Sequence, residues 1–197
     1  MVAPRKYEPT GVDVSGDRFT VEQTGTDGNF RPEYEARDGT GTPLFRTTYQ
    51  MYEERDAFPF VDADGEELFT VRAEGTWDVA GDYVLTDSQT GEDLVVLDND
   101  LSLLRDTWRV RDADDGTLLA AVESRGALYT LARTLLPAGQ YIGHEYEVRD
   151  TDGDVTGAIE AGFGVFDEYE VTFQDAGALP RTPLVAGAIV VDAIQEN

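Results

Sequence analysis

Cysteine is absent from this chain of 197 residues, which excludes disulfides, thiolate metal sites and a cysteine nucleophile. Lysine is nearly absent too: of the 15 basic residues only Lys6 is lysine and the rest are arginine. His144 is the single histidine, so a Ser/His/Asp triad would have to use it. No nucleophile elbow accompanies it, and a structural histidine at a strand end is the simpler reading. No apolar run reaches the roughly 18 residues of a spanning helix. The first thirty or so residues lack a charged stretch followed by an apolar one, so no secretory signal is expected and a cytoplasmic location is.

What is present in excess is acid. Forty Asp and Glu against 15 Lys and Arg give a formal net charge of −25. An acidic partner-binding tail would cluster its carboxylates, whereas these are spread along the whole length. Dispersed carboxylates with almost no lysine fit a protein adapted to concentrated salt. At about 1 M ionic strength the Debye length is roughly 3 Å, so self-repulsion is screened. A halophilic, haloarchaeal-type source is therefore expected, and nucleic acid and anionic membranes are disfavoured as partners. Hydrophobic residues make up 41%, enough for one sizeable core in a single domain over 1–197.

An aromatic residue, any residue, then an apolar one recurs along the chain. The instances are Tyr34-Glu-Ala36, Phe58-Pro-Phe60, Tyr83-Val-Leu85, Trp108-Arg-Val110, Tyr146-Glu-Val148 and Tyr169-Glu-Val171, spaced by 24, 25, 25, 38 and 23 residues. Most are followed by a carboxylate and a glycine turn, as at Asp38-Gly39, Asp62 to Gly65, Asp87 to Gly91, Asp112 to Gly116 and Asp150 to Gly153, and then by a second apolar run. Alternation, a turn that glycine can make and a second strand describe a β-hairpin, and their repetition describes a meander of about ten to twelve strands. The wide spacing holds a candidate short amphipathic helix, capped by Ser124, with Leu128, Leu131, Ala132, Leu135 and Leu136 on one face before Pro137.

The last segment sets the architecture. Thr182-Pro183 reads as a cap and a first-turn proline, and Leu184 to Ile194 is apolar on nearly every face, predicting a helix over about 183–195. It spans about 18 Å against a bilayer core of roughly 30 Å, so it must be buried in protein. A helix is about 10 Å across, and an eight-stranded barrel is already filled by its own side chains. The expected fold is mainly β: a closed antiparallel barrel of about twelve strands enclosing the C-terminal helix. The β-prone Ile189-Val-Val191 leaves a final strand as the alternative.

Few residues suggest chemistry. Arg105, Arg109 and Arg111 share a parity that aims them at one strand face, with Trp108 and Val110 on the other. They are a candidate anion site, for instance for phosphate, or one half of cross-strand ion pairs. Asp150, Asp152 and Asp154 hint at a calcium loop, but Gly153 falls at the fourth position and Ala161 stands where the twelfth-position glutamate would be. The same turn chemistry occurs in the other hairpins and is the preferred reading, with weak cation binding as the alternative, and no metal or cofactor is expected. Asp192, inside the apolar helix, is expected to reach the barrel rim and a hydrogen-bond donor; with His144 it makes a candidate polar rim site.

Tyr49-Gln-Met51, Phe58 to Val71 with its Asp-x-Asp-Gly turn, Leu101-Ser-Leu103 before Trp108-Arg-Val110, Tyr169-Glu-Val171 and the tail Val190 to Ile194 together resemble the LURP-one-related family, within the tubby C-terminal-like superfamily. The resemblance runs from about Thr47 to the end; residues 1–46 fit it less clearly and hold the early strands. It implies a twelve-stranded barrel threaded by a hydrophobic helix. Relatives in the wider superfamily bind phosphoinositides or are linked to phospholipid scrambling, yet this chain has no lysine-rich headgroup pocket, no cysteine for acylation and no spanning tail. The expectation is a non-enzymatic binding or scaffold domain whose ligand meets the barrel rim or exterior. A phospholipid- or phosphate-binding, membrane-associated protein is the first alternative, and a hydrolase using rim carboxylates the second. The charge argument is checked by salt titration: circular dichroism should report a folded protein in molar potassium chloride and a loosened one in dilute buffer.

Overall fold

Buried and exposed side chains alternate through stretch after stretch of the chain, and each stretch is a strand. The computed structural model describes residues 5–50, 56–74, 82–102, 105–124, 145–162, 168–174 and 179–195. In chain order these form β1 (Arg18–Thr26), β2 (Pro32–Asp38), β3 (Pro43–Thr48), β4 (Ala57–Val61), β5 (Glu67–Ala73) and β6 (Tyr83–Asp87). They continue as β7 (Asp93–Ser102), β8 (Arg105–Asp112), β9 (Leu118–Ser124), β10 (Glu145–Arg149), β11 (Val155–Ala161), β12 (Glu168–Phe173) and the helix α1 (Arg181–Gln195). Each strand pairs antiparallel with its chain neighbours, and β12 pairs with β1, so twelve strands close a barrel with no free edge. Residues before 47 are integral to it: β1 and β2 are two of its staves.

The recurring aromatic-x-apolar motif sits on β2, β4, β6, β8, β10 and β12, and both its outer residues are buried in every copy. The odd strands answer with Phe19 and Val21, Phe45, Phe69 and Val71, Val95 and Leu97, Ala120 and Val122, and Ile159. Phe45, Phe60 and Phe69 pack together with centroids 4.4–5.4 Å apart. The seam between β3 and β4 is short, with two paired positions, Arg46↔Val61 and Thr47↔Phe60. Pro59 lies beside it and has no N–H to give, and the Thr47 hydroxyl donates to the Pro59 carbonyl at 2.7 Å.

Five hairpin turns share one device. An aspartate ends or directly follows β2, β4, β6, β8 and β10, and its Oδ1 accepts the N–H two residues on: Asp38 from Thr40, Asp62 from Asp64, Asp87 from Gln89, Asp112 from Asp114 and Asp150 from Asp152, at 2.7–3.0 Å. The chain returns through a glycine at positive φ, Gly41, Gly65, Gly91, Gly116 or Gly153, at 73° to 87°. At the first of these turns the left-handed residue is Gly41 and not Gly39. A sixth turn, between β1 and β2, follows the same plan from Asp27, but Phe30 occupies the left-handed position at φ 62°. Its ring is 86% exposed.

α1 is buried along nearly its whole girth: Leu184, Val185, Ala186, Ile189, Val190 and Ala193 are all at most 2% exposed. It begins at Arg181, two residues before the predicted start, so Thr182 is not its cap. The cap comes from Glu8, whose two carboxylate oxygens accept the N–H groups of Arg181 at 2.7 Å and Thr182 at 3.0 Å. Glu8 belongs to a strap that precedes β1. Lys6 and Tyr7, in a short 3-10 turn, bond the Asp112 carboxylate at 2.6 and 2.8 Å, and the Thr10 N–H reaches Asp87 at 2.7 Å. The Arg181 guanidinium donates back to the carbonyls of Val14 and Gly16 and lies over the Phe173 ring. The amphipathic helix expected after Ser124 lies outside the described residues; Ser124 itself ends β9.

Phe30 gives a direct test of the turn chemistry. A non-glycine residue in the left-handed region costs about 1 kcal/mol, so Phe30→Gly should raise stability by about that much in denaturant titration.

Candidate functional site

The barrel's inner wall brings aromatic hydroxyls against carboxylates. Asp192, 7% exposed, lies one turn from the end of α1. Its Oδ2 accepts from the Tyr34 hydroxyl of β2 at 3.0 Å, and its Oδ1 accepts from the Tyr169 hydroxyl of β12. This is the donor that the sequence called for at Asp192, supplied from two strands on the inner wall. Elsewhere, the buried Tyr49 and Tyr83 both meet the Asp56 carboxylate. Burial, reinforced by the Asp56 charge and hydrogen bond, pushes Tyr83 up to about 12 and Tyr49 further up. Both phenols are therefore protonated donors at neutral pH, unsuited to act as bases or nucleophiles.

The anchors also decide where the helix stands in the lumen. Asp192 ties it to β2 and β12, and Arg181 ties it to the strap that leads into β1. α1 accordingly leans on β1 and β2. Opposite, between the helix and the wall from β7 to β12, a cavity of about 30 Å³ is left. Leu97, Val122 and Ile159 of the strands and Leu184, Gly187 and Ala188 of the helix make its surface apolar. Trp108 also lines it, 4% exposed, and its Nε1–H has no hydrogen-bond partner. The helix does not fill the lumen completely.

The other candidates are placed differently. Arg109 and Arg111 lie on the face of β8 opposite buried Trp108 and Val110, as their parity predicted, and Arg105 opens the strand. Arg111 Nε bonds Asp98 Oδ2 of β7 at 3.0 Å, a cross-strand ion pair, and its Nη1 donates to the Gly116 carbonyl at 3.2 Å. Asp82, raised above the ordinary carboxylate range by burial first and then by the Asp98 charge, also feels this guanidinium. An anion would have to compete with those carboxylates. Asp150 Oδ1 accepts the N–H groups of Asp152 and Asp154, both at 3.0 Å, so its carboxylate holds the turn. Among the described residues no group of three or more His, Asp or Glu side chains is arranged to hold a metal. His144 lies outside the described residues.

Sequence reasoning singled out Asp192 because a carboxylate in an apolar helix is conspicuous. It missed the unpartnered Trp108 N–H, because what that group meets depends on where the helix stands across the barrel. It missed Glu8, which meets the helix from 173 residues away.

With this geometry in view, comparisons with known proteins point one way. A family model described as LURP-one-related matches residues 50–192. No curated protein matches the chain. A solved X-ray structure of a protein from Arabidopsis thaliana is 12% identical, with a TM-score of 0.55 over 99% of this chain and 98% of that one, a likeness of fold. No described helix is long and apolar enough to cross a membrane.

Removing the Asp192 carboxylate takes the shared acceptor from two buried tyrosines. Asp192→Ala should lower stability by about 2–4 kcal/mol in denaturant titration, and Tyr34→Phe or Tyr169→Phe by about 1–2 kcal/mol each.

Proposed function

The chain belongs to the LURP-one-related family, and we propose that it serves there as a non-enzymatic binding or scaffold domain, in the cytoplasm of a cell that accumulates salt. One observation carries the reading: the four charged side chains buried among the described residues all tie distant parts of the chain together. Asp87 takes the Thr10 N–H, Asp112 takes Lys6 and Tyr7, Arg181 reaches Val14, and Asp192 takes Tyr34 and Tyr169. Asp112 illustrates the cost of redirecting such a group, since the hydrogen bonds from Lys6 and Tyr7 hold its carboxyl down to about 2. A general acid near neutral pH needs the opposite shift. These contacts hold the shape of the interior, and a preorganised shape suits recognition.

The net charge of −25 argues against an anionic lipid bilayer as the partner. Two assays in molar potassium chloride test the reading. The folded protein should turn over neither p-nitrophenyl acetate nor p-nitrophenyl phosphate above the buffer rate, and it should not float with phosphatidylserine-containing vesicles. Turnover abolished by neutralising a rim carboxylate would make it an enzyme; flotation would make it a lipid-associated protein.

A further inference from the structure

We propose that Phe30, at the tip of the β1–β2 turn, is the anchor by which this domain docks to another protein, one that offers an apolar pocket with an uncharged, hydrogen-bonding rim. This rests on the reading of the protein as a binding or scaffold domain and names the surface it would use and the kind of partner. A single exposed apolar side chain is ordinary. One held in a left-handed backbone is not, because a bulky residue at positive φ is an outlier. Phe30 is both: its ring is 86% exposed, and its φ of 62° is the one positive value on a non-glycine residue among the described residues. The five sister turns place glycine in that conformation. Glycine here would relieve the backbone, and a ring so exposed returns little packing. Folding therefore does not account for Phe30, and strain of this kind gathers at functional sites.

The turn holds the ring ready. Asp27 Oδ1 accepts the Asn29 and Arg31 N–H groups at 2.8 and 3.0 Å, and its Oδ2 takes Arg31 Nε and Nη2 at 2.8 and 2.6 Å. The Phe30 N–H donates to the Asp27 carbonyl at 3.0 Å. The residues on both sides of the ring are pinned to one carboxylate, so less conformational freedom is left to lose on docking.

Charge selects the partner. Between Glu22 and Glu33 the charged side chains are Asp27 and Arg31, and they neutralise one another. The exposed residues around the ring, Thr24, Thr26, Gly28 and Asn29, carry no charge. On a chain of net charge −25 this is a segment that another acidic protein can approach without facing carboxylates. It also has the make-up of an interface centre, where aromatic residues are enriched and charges depleted within a polar surround. A bilayer matches it less well. Membrane binding at an interface grows with apolar area and with basic residues, and here there is one ring and a neutralised arginine. The turn stands at the barrel end opposite the β6–β7 and β8–β9 turns that the strap grips, so docking leaves the helix cap undisturbed.

β-Cyclodextrin, an uncharged apolar cup with a hydroxyl rim, stands in for the pocket. In molar potassium chloride it should bind the folded protein saturably, by calorimetry and by the Phe30 ring resonances, and fail to bind Phe30→Gly. The partner itself is sought with p-benzoylphenylalanine at position 30. Position 155 is the control, since Val155 is the other exposed large apolar side chain among the described residues. Irradiated in an extract of the source cells, position 30 should capture one protein that position 155 does not. That protein, purified, should bind the unaltered chain and lose about tenfold or more in affinity for Phe30→Gly, the size of one ring's burial. Phe30→Gly should at the same time raise Tm, so the loss is not one of folding. No cyclodextrin binding, no capture specific to position 30, capture of lipid or of the chain itself, or equal binding of Phe30→Gly would each overturn the anchor. None of these outcomes touches the binding-domain reading, which stands or falls on turnover and flotation.

Discussion

A helix that is apolar on every side cannot face water, and α1 is too short to escape into a bilayer, so it needs a wall all the way round. Twelve strands provide a ring wide enough, and their inward residues supply the apolar surface. Apolar packing alone, being non-directional, would leave the rod free to slide and turn within the ring. Direction comes from the few polar groups it carries. Asp192 fixes one end to two strands that are neighbours of β1, and Arg181 with the Glu8 cap fixes the other. Depth, rotation and lateral position of the core all depend on these contacts.

The strap before β1 is the counterpart of the helix. It bonds Asp87 and Asp112 at two successive turns and then the start of α1, so one short segment ties the hairpin tips to the core. The single lysine of the chain is used here, against a carboxylate that also holds its own turn. In a protein with so few cations, their placement is informative: Arg181 is buried at the helix start, Arg111 joins β8 to β7, and Arg31 braces the sixth turn through Asp27.

Much of the fold was legible because its determinants are local. Tyr34-Glu-Ala36 and its five echoes alternate with period two, and an aspartate followed closely by a glycine makes a turn whatever lies elsewhere. The enclosed helix was legible from composition and length. Its first residue was not, because Thr182-Pro183 looks like a self-made start and the cap actually used comes from Glu8. The same limit applies to the candidate site. Asp192 stood out as a polar residue in an apolar run, while the side of the lumen left open shows only once the helix is seen to stand against β1 and β2.

Closure between β1 and β12 has a consequence for biosynthesis. The first and last staves meet only after all twelve strands have been made, and the helix inside the lumen is made after every strand around it. Until then a curled sheet presents Phe45, Phe60, Phe69 and the other inward rings to solvent with nothing to cover them. Long-range closure of this kind is slow, and such intermediates are prone to aggregate. A nascent chain bearing carboxylates along its length repels its copies on neighbouring ribosomes, so the acid spread over the outside guards the molecule during the interval when its inside does not yet exist.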